Sequence, residues 1–231
     1  MKKIKRFFGF LILIILIAAG AVVYAGYDKY KSALENKPLE EAVGEIHSIE
    51  HYTSLADIPE TFKDAAVAVE DRRFYYHNGV DIIGIARALA VDIKQKKMVE
   101  GGSTITQQLA KNMYFPMDKS PVRKLAEMFM AMRIEREYSK DEILELYFNG
   151  IYYGSGYYNI YDAAMGYFKK EPAEMSDYES TLLAGVPNAP SVYSPKSNKE
   201  LALKRQEKVL KSMVDCGYIS DEERDRIVSD K

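Results

Sequence analysis

The chain has 231 residues, 47% hydrophobic and 29% charged, which is enough for one well-buried domain and short for two. Its formal net charge is -2, and with Lys2, Lys3, Lys5 and Arg6 set aside the remaining 28 basic residues face 34 acidic ones, so no nucleic-acid partner is expected and any anion site must be a local cluster. Cys216 is the only cysteine, which excludes an intramolecular disulfide.

Residues 1–6 form a short basic tail. From Phe7 to Tyr27 run 21 residues without a charge. At about 1.5 Å per residue, a helix of that length crosses roughly the 30 Å hydrocarbon core of a bilayer. The basic residues ahead of it predict a single-pass membrane protein with a cytoplasmic N-terminus and an outward-facing body. A cleaved signal peptide is the alternative, with Ala19-Gly20-Ala21 as a small-x-small site, but the apolar run exceeds the ~7–15 residues of a typical signal core. Residues 28–44 contain Pro38 and many charges and read as a stalk, a solvated linker with some helix. A single domain is expected over residues 45–231. At its start Glu45–Tyr52 (EIHSIEHY) is the one plausible short strand, and His47 and His51 within it supply too few ligands for a metal site.

The rest predicts helices: Pro59 to about Arg73, Asp81 to about Gln95, Thr104–Asn112 and Val122–Tyr138, with Gly79 and Gly101-Gly102 as breaks. Ser139 with Glu142, Ser176 with Glu179, Ser197 with Glu200 and Ser220 with Glu223 fit the S-x-x-E capping box, in which the two side chains satisfy free amides of the first helical turn. The fold class is therefore mainly α. Met113, Tyr114, Phe115 and Met117, followed by Met128, Phe129, Met130 and Met132, demand burial in the core or against lipid.

Five segments carry chemistry. Ala66–Asp81 (AVAVEDRRFYYHNGVD) ends a helix on adjacent acids. Gly101–Asn112 (GGSTITQQLAKN) leads glycines into a helix start whose free amides suit an anion. Arg123–Glu127 (RKLAE) sets two cations at i, i+4 and i, i+3 to a glutamate. Lys140–Asn149 (KDEILELYFN) and Glu179–Pro195 (ESTLLAGVPNAPSVYSP) follow. Each alone is compatible with ordinary scaffold: solvated acids, a surface ion-pair ladder, an apolar helix leaving into a loop.

In this order and spacing, over about Ser54 to Val209, they resemble the five motifs of the peptidoglycan glycosyltransferase family. The resemblance implies a lysozyme-like, mostly helical fold with a membrane-associated jaw subdomain. It assigns Glu70 as the catalytic glutamate, with Asp71, Phe74, His77 and Gly79 in the same motif. Gly102, Ser103, Thr104, Gln107, Gln108, Lys111 and Asn112 are expected to line the donor site and its diphosphate. Arg123, Lys124 and the second essential glutamate, Glu127, form the third motif. Glu145, Tyr147 and Asn149, and Glu179, Gly185, Pro187, Pro190, Tyr193 and Pro195, match the last two and are expected as scaffold. Two residues depart from the family pattern: Asn159 and Lys169 stand where glycines are usual, Asn159 being the milder change because asparagine tolerates a left-handed backbone.

The implied reaction is inverting transfer: the 4-hydroxyl of an acceptor N-acetylglucosamine attacks C1 of the donor's N-acetylmuramic acid and undecaprenyl diphosphate leaves. Glu70 is the expected base, helped by a partly desolvated cleft. Lys111, Arg123 and Lys124 would neutralise the leaving diphosphate. Glu127 would orient those cations or hold a divalent ion such as Mg or Mn, the one cofactor in view. Lipid II, the growing lipid-linked glycan and the bilayer are the implied partners, with cell-wall synthesis or division proteins beside them. A lytic transglycosylase or lysozyme is the nearest rival, against which the cation cluster argues, since hydrolysis of uncharged glycan needs no diphosphate clamp. A tethered scaffold without catalysis is the other, against which both glutamates and all three cations argue. No transpeptidase domain is expected after Pro195, and hence no β-lactam binding.

Overall fold

The computed structural model describes residues 2–95, 101–115 and 120–230; Met117 lies outside them. Among these residues there are helices and no strands: α1 (Lys2–Asn36), α2 (Leu39–His47), α3 (Glu60–Glu70), α4 (Ile82–Gln95), α5 (Ile105–Tyr114), α6 (Pro121–Glu137), α7 (Lys140–Gly150), α8 (Ile160–Phe168), α9 (Asp177–Ala184), α10 (Pro190–Tyr193), α11 (Lys199–Cys216) and α12 (Asp221–Ser229). The mainly α class read from the sequence is the observed one.

The segment Arg6–Asn36 of α1 is long and apolar enough to cross a membrane. Its apolar side chains, Phe7, Phe10, Ile15, Leu16 and Ile17 among them, are exposed. The helix does not stop at Tyr27. It continues into the body of the protein, where Tyr27 and Tyr30 set their rings 5.5 and 6.0 Å from Phe129 of α6. Gly26 approaches so closely that a Cβ there would fall 2.5 Å from Leu125 Cβ.

Two readings of the N-terminal region are corrected. Glu45–Tyr52 is not a strand: Glu45, Ile46 and His47 complete α2, and the chain then turns, with His51 at φ +64°. The solvated linker before it is helical and packed, because Leu39, Ala42, Val43 and Ile46 recur at i, i+3, i+4 and i+7 and are all buried. Tyr30, Ala33 and Leu34 at the end of α1 pack on the same core.

That core is built by α3, α5, α6, α7, α8, α9 and α11 around Phe62, Phe74, Leu109, Met130, Ile134, Tyr147, Phe148 and Tyr153, each under 2% exposed. The capping boxes expected at Ser139, Ser176 and Ser220 are formed. The one expected at Ser197 is not. Asn198 caps α11 instead, its side chain accepting from the Leu201 amide at 3.0 Å; asparagine at this position is as good a cap as serine. The Met and aromatic segment goes inward: Phe115 and Met130 are buried, Met113 and Tyr114 pack on the core, and Phe129 meets α1. Exposed apolar side chains outside α1 include a group on α4, Ile82, Ile83, Leu89 and Ile93, beside Tyr75, Tyr76, Tyr158, Val192 and Val228 elsewhere.

The two departures from family glycines have different outcomes. Asn159 is at φ -147°, an ordinary extended residue, and it serves as the N-cap of α8 by accepting from the Asp162 amide at 2.7 Å. Lys169 closes α8 at φ +64°, a left-handed position that disfavours a Cβ-bearing side chain. Lys169→Gly is expected to stabilise the fold by roughly 0.5–1 kcal/mol, the relief of that backbone outweighing the added freedom of the unfolded chain. Chemical denaturation of both proteins checks this, and equal or lower stability of the variant would contradict it.

Candidate active site

A cavity of about 720 Å³ opens between the end of α3, α4, α5, α6, α10 and α11. Eight basic side chains line it, Arg72, Arg87, Lys111, Arg123, Lys124, Arg205, Lys208 and Lys211, against the two acids Glu70 and Glu127. In a chain of formal net charge -2, this concentrates positive potential in one concave place, the expected host for an anionic substrate.

Glu70 is the last residue of α3; at Asp71 the backbone turns to φ -156° and the helix ends. The Glu70 carboxylate is nearly buried, its side chain 7% exposed, and is held by two donors. Arg205 Nη2 lies 3.1 Å from Oε1, and Gln108 Nε2 donates to Oε2 at 2.8 Å. Gln108 is in turn oriented by the Tyr147 hydroxyl, which donates to its Oε1 at 3.2 Å. Complete burial, and then the charge of Glu70, push the Tyr147 pKa well above the usual phenol value, so this hydroxyl stays protonated and remains a donor. An ionised carboxylate has about four lone-pair sites, so two bound donors leave acceptor capacity for a hydroxyl arriving from the cavity.

The other acid sits at the first turns of α6, whose start is set by Ser120 capping the Arg123 amide and by Pro121 at the first helical position. Glu127, with its side chain 1% exposed, lies 3.1 Å from Arg123 Nε through Oε1 and 3.1 Å from Lys124 Nζ through Oε2. Lys124 also donates to Ser103 Oγ at 2.7 Å, which joins the α6 cations to the loop before α5. Glu127 thus serves both cations at once. Its oxygens are already met by positive charge, and among the described residues no group of three or more His, Cys, Asp or Glu is placed to hold a metal.

The start of α5 differs from the expectation of amides open to an anion. Asp71 Oδ2 accepts the Ile105 amide at 3.1 Å, and Thr104 and Gln107 cap each other reciprocally. The anion at this helix terminus is therefore the chain's own Asp71 carboxylate. His77 Nε2 lies 3.0 and 2.9 Å from the two Asp71 oxygens, with both side chains buried. Thr104 Oγ1 donates to the Gly79 carbonyl at 2.7 Å. Gly79 has φ +87°, and a Cβ there would fall 2.7 Å from the Ala131 carbonyl, so only glycine fits. Phe74 is fully buried beneath Lys140, whose Nζ is 4.3 Å from the ring centroid.

Of the residues singled out in the sequence, Glu70, Ser103, Gln107, Gln108, Lys111, Arg123, Lys124 and Glu127 line this cavity together. Asp71, Gly102 and Thr104 line a small adjoining cavity that shares Glu70, Arg72, Arg87, Gly101 and Ser103 with it, and Phe74, His77 and Asn112 line neither. Asp71, His77 and Thr104 fix the N-terminus of α5 behind it, and so hold Gln108 where it meets Glu70. The fourth motif pins the connecting segment of residues 52–55: Glu145 accepts from Tyr52 Oη and the Leu55 amide, both at 2.6 Å, and Asn149 pairs with both backbone groups of Thr53. From the fifth, Pro187 and Tyr193 reach the cavity. Sequence reading missed Arg72, Arg87, Arg205, Lys208 and Lys211. For the last three a signal existed, since they recur at i, i+3 and i+6 on one face of α11.

A model of the family described as Transglycosylase matches residues 36–214. Penicillin-binding protein 1F of Bacillus subtilis (strain 168) is 40% identical over 238 residues, covering 96% of this chain and 33% of that protein. Penicillin-binding protein 1A of Aquifex aeolicus (strain VF5) is 45% identical over 178 residues, covering 77% of this chain and 24% of that protein. The chain thus spans a third or less of the length of these curated relatives. The crystal structure of penicillin-binding protein 1A from Haemophilus influenzae superposes with a TM-score of 0.47 at 25% identity, over 78% of this chain and 17% of that one.

Proposed function

We propose, because this chain belongs to the transglycosylase family, that it is a peptidoglycan glycosyltransferase that polymerises lipid II into β-1,4-linked glycan strands with inversion and release of undecaprenyl diphosphate. The observation that carries this reading is the cavity in which a positioned carboxylate, Glu70, stands among eight cations. Glu70 takes the proton of the acceptor's 4-hydroxyl as that oxygen attacks C1 of the donor. Lys111, Arg123 and Lys124 meet the charge that develops on the departing diphosphate, and their fixed positions avoid reorganisation during the step. Glu127 aims Arg123 and Lys124, and Gln108 and Tyr147 hold Glu70 to its task.

Membrane placement follows from the same substrate. The apolar part of α1 anchors the chain with its basic N-terminus in the cytoplasm and the catalytic domain outside, where Ile82, Ile83, Leu89 and Ile93 of α4 form the lipid-facing part of the jaw. Cell-wall synthesis or division proteins are the natural partners there. Given the lipid-linked precursor, the purified protein should release undecaprenyl diphosphate, and given purified cell wall it should release no soluble muropeptides. The opposite pattern would make it a lytic enzyme.

A further inference from the structure

Arg205 stands 135 residues beyond Glu70, yet its guanidinium lies 3.1 Å from the Glu70 carboxylate with both side chains nearly buried, 11% and 7% exposed. The guanidinium is held on its other sides as well. Its Nε donates to the Gly185 carbonyl at 3.3 Å, and its Cζ is 5.8 Å from the centroid of the Tyr193 ring. Gly185 must be small for this to occur, because a Cβ there would fall 2.9 Å from Arg205 Cγ. We infer that Arg205 is a positioning residue for Glu70, fixing Oε1 so that the carboxylate's remaining lone pairs face the acceptor hydroxyl; this rests on the reading of Glu70 as the general base.

The geometry separates this role from two others. Lys111 and Arg205 both line the cavity, but two of the three guanidinium nitrogens of Arg205 are already engaged by Gly185 and Glu70. A cation meant only to fasten α11 to α3 would have no reason to use the one carboxylate that lines the cavity at the end of α3. Arginine is required for the purpose, since a planar fork reaches a carbonyl and a carboxylate at once and an ammonium on a flexible stem does not hold both in fixed geometry.

The test measures kcat and KM for lipid-linked precursor in the full-length protein with Arg205→Gln, Arg205→Lys, Glu70→Gln and the double variant Glu70→Gln/Arg205→Gln. Arg205→Gln is expected to lower kcat by about 10-fold or more, since a misplaced reacting group loses that much, with KM almost unchanged. Arg205→Lys should fall between it and the unaltered protein. On the Glu70→Gln background the second change should cost less than ~2-fold, because Arg205 acts through a group no longer there. Losses that multiply in the double variant, or a rise in KM at constant kcat, would overturn the inference and make Arg205 a substrate or scaffold residue. If Arg205→Gln fails to fold, the Lys variant and its Glu70→Gln double carry the same comparison. Absence of polymer from the unaltered protein would strike the proposed function instead, and normal turnover in Glu70→Gln would strike the base.

Discussion

Glu70→Gln is expected to lower single-turnover glycan synthesis by about 10² or more, the loss typical of removing a general base. The substitution keeps the length of the side chain and an oxygen for Arg205, but its amide group cannot take a proton from the acceptor. It also places an NH₂ where Gln108 now donates, so Gln108 must turn over or lose its contact, and Tyr147 must follow. Those changes stay on the α3, α5 and α7 side of the cavity. Lys124 and Arg123 are held by Glu127 and Ser103 on α6 and the loop before α5, whereas Glu70 is held by Arg205 and Gln108. Binding of a diphosphate-lipid donor should therefore change by less than ~3-fold, a loss of rate without a loss of affinity. Near-normal turnover of the folded variant would remove the base from the mechanism.

Glu127→Gln should fail differently. The Glu127 side chain is 1% exposed and its two cations are 21% and 38% exposed, so the carboxylate is the buried member of the group. Breaking a buried ion pair costs roughly 3–5 kcal/mol, and here the cost is expected at about 1–3 kcal/mol because both cations retain water and the amide oxygen retains one acceptor. Donor binding gives the sharper result. Counting charge alone, removal of a negative group from a cationic cavity should tighten binding of a diphosphate. If Glu127 works by aiming Arg123 and Lys124, binding should weaken instead, by about 10-fold, as the two donors lose the geometry that makes charge-assisted hydrogen bonds strong. Titration of a diphosphate-lipid donor decides the sign, and tighter binding would leave Glu127 without an orienting role.

What could be read from the sequence was local. Ser139, Ser176 and Ser220 announced their helices because a capping box is complete within four residues. Lys124, Arg123 and Glu127 could be joined because one helical turn brings them together. The α2 stripe of Leu39, Ala42, Val43 and Ile46 was also local, yet the charged composition around it and the isoleucines near its end suggested a linker and a strand. Contacts between distant segments left no such trace. Asp71 caps α5 across 34 residues and Arg205 grips Glu70 across 135, and in each case the partner carries nothing that names the other. Arg72 and Arg87 belong to the same class: a basic residue on a turn or a helix is ordinarily solvated, and only the fold brings these two to the cavity that Arg205, Lys208 and Lys211 of α11 also line.

The proposed reaction joins lipid-linked disaccharides in this cavity through Glu70. The direct measurement is to reconstitute the full chain in lipid, supply labelled lipid-linked disaccharide-pentapeptide, and separate the products by size, with Glu70→Gln alongside. A ladder of glycan polymer is expected from the unaltered protein and almost none from the variant. Unconverted precursor from the folded protein, or polymer made equally well by both, would contradict it.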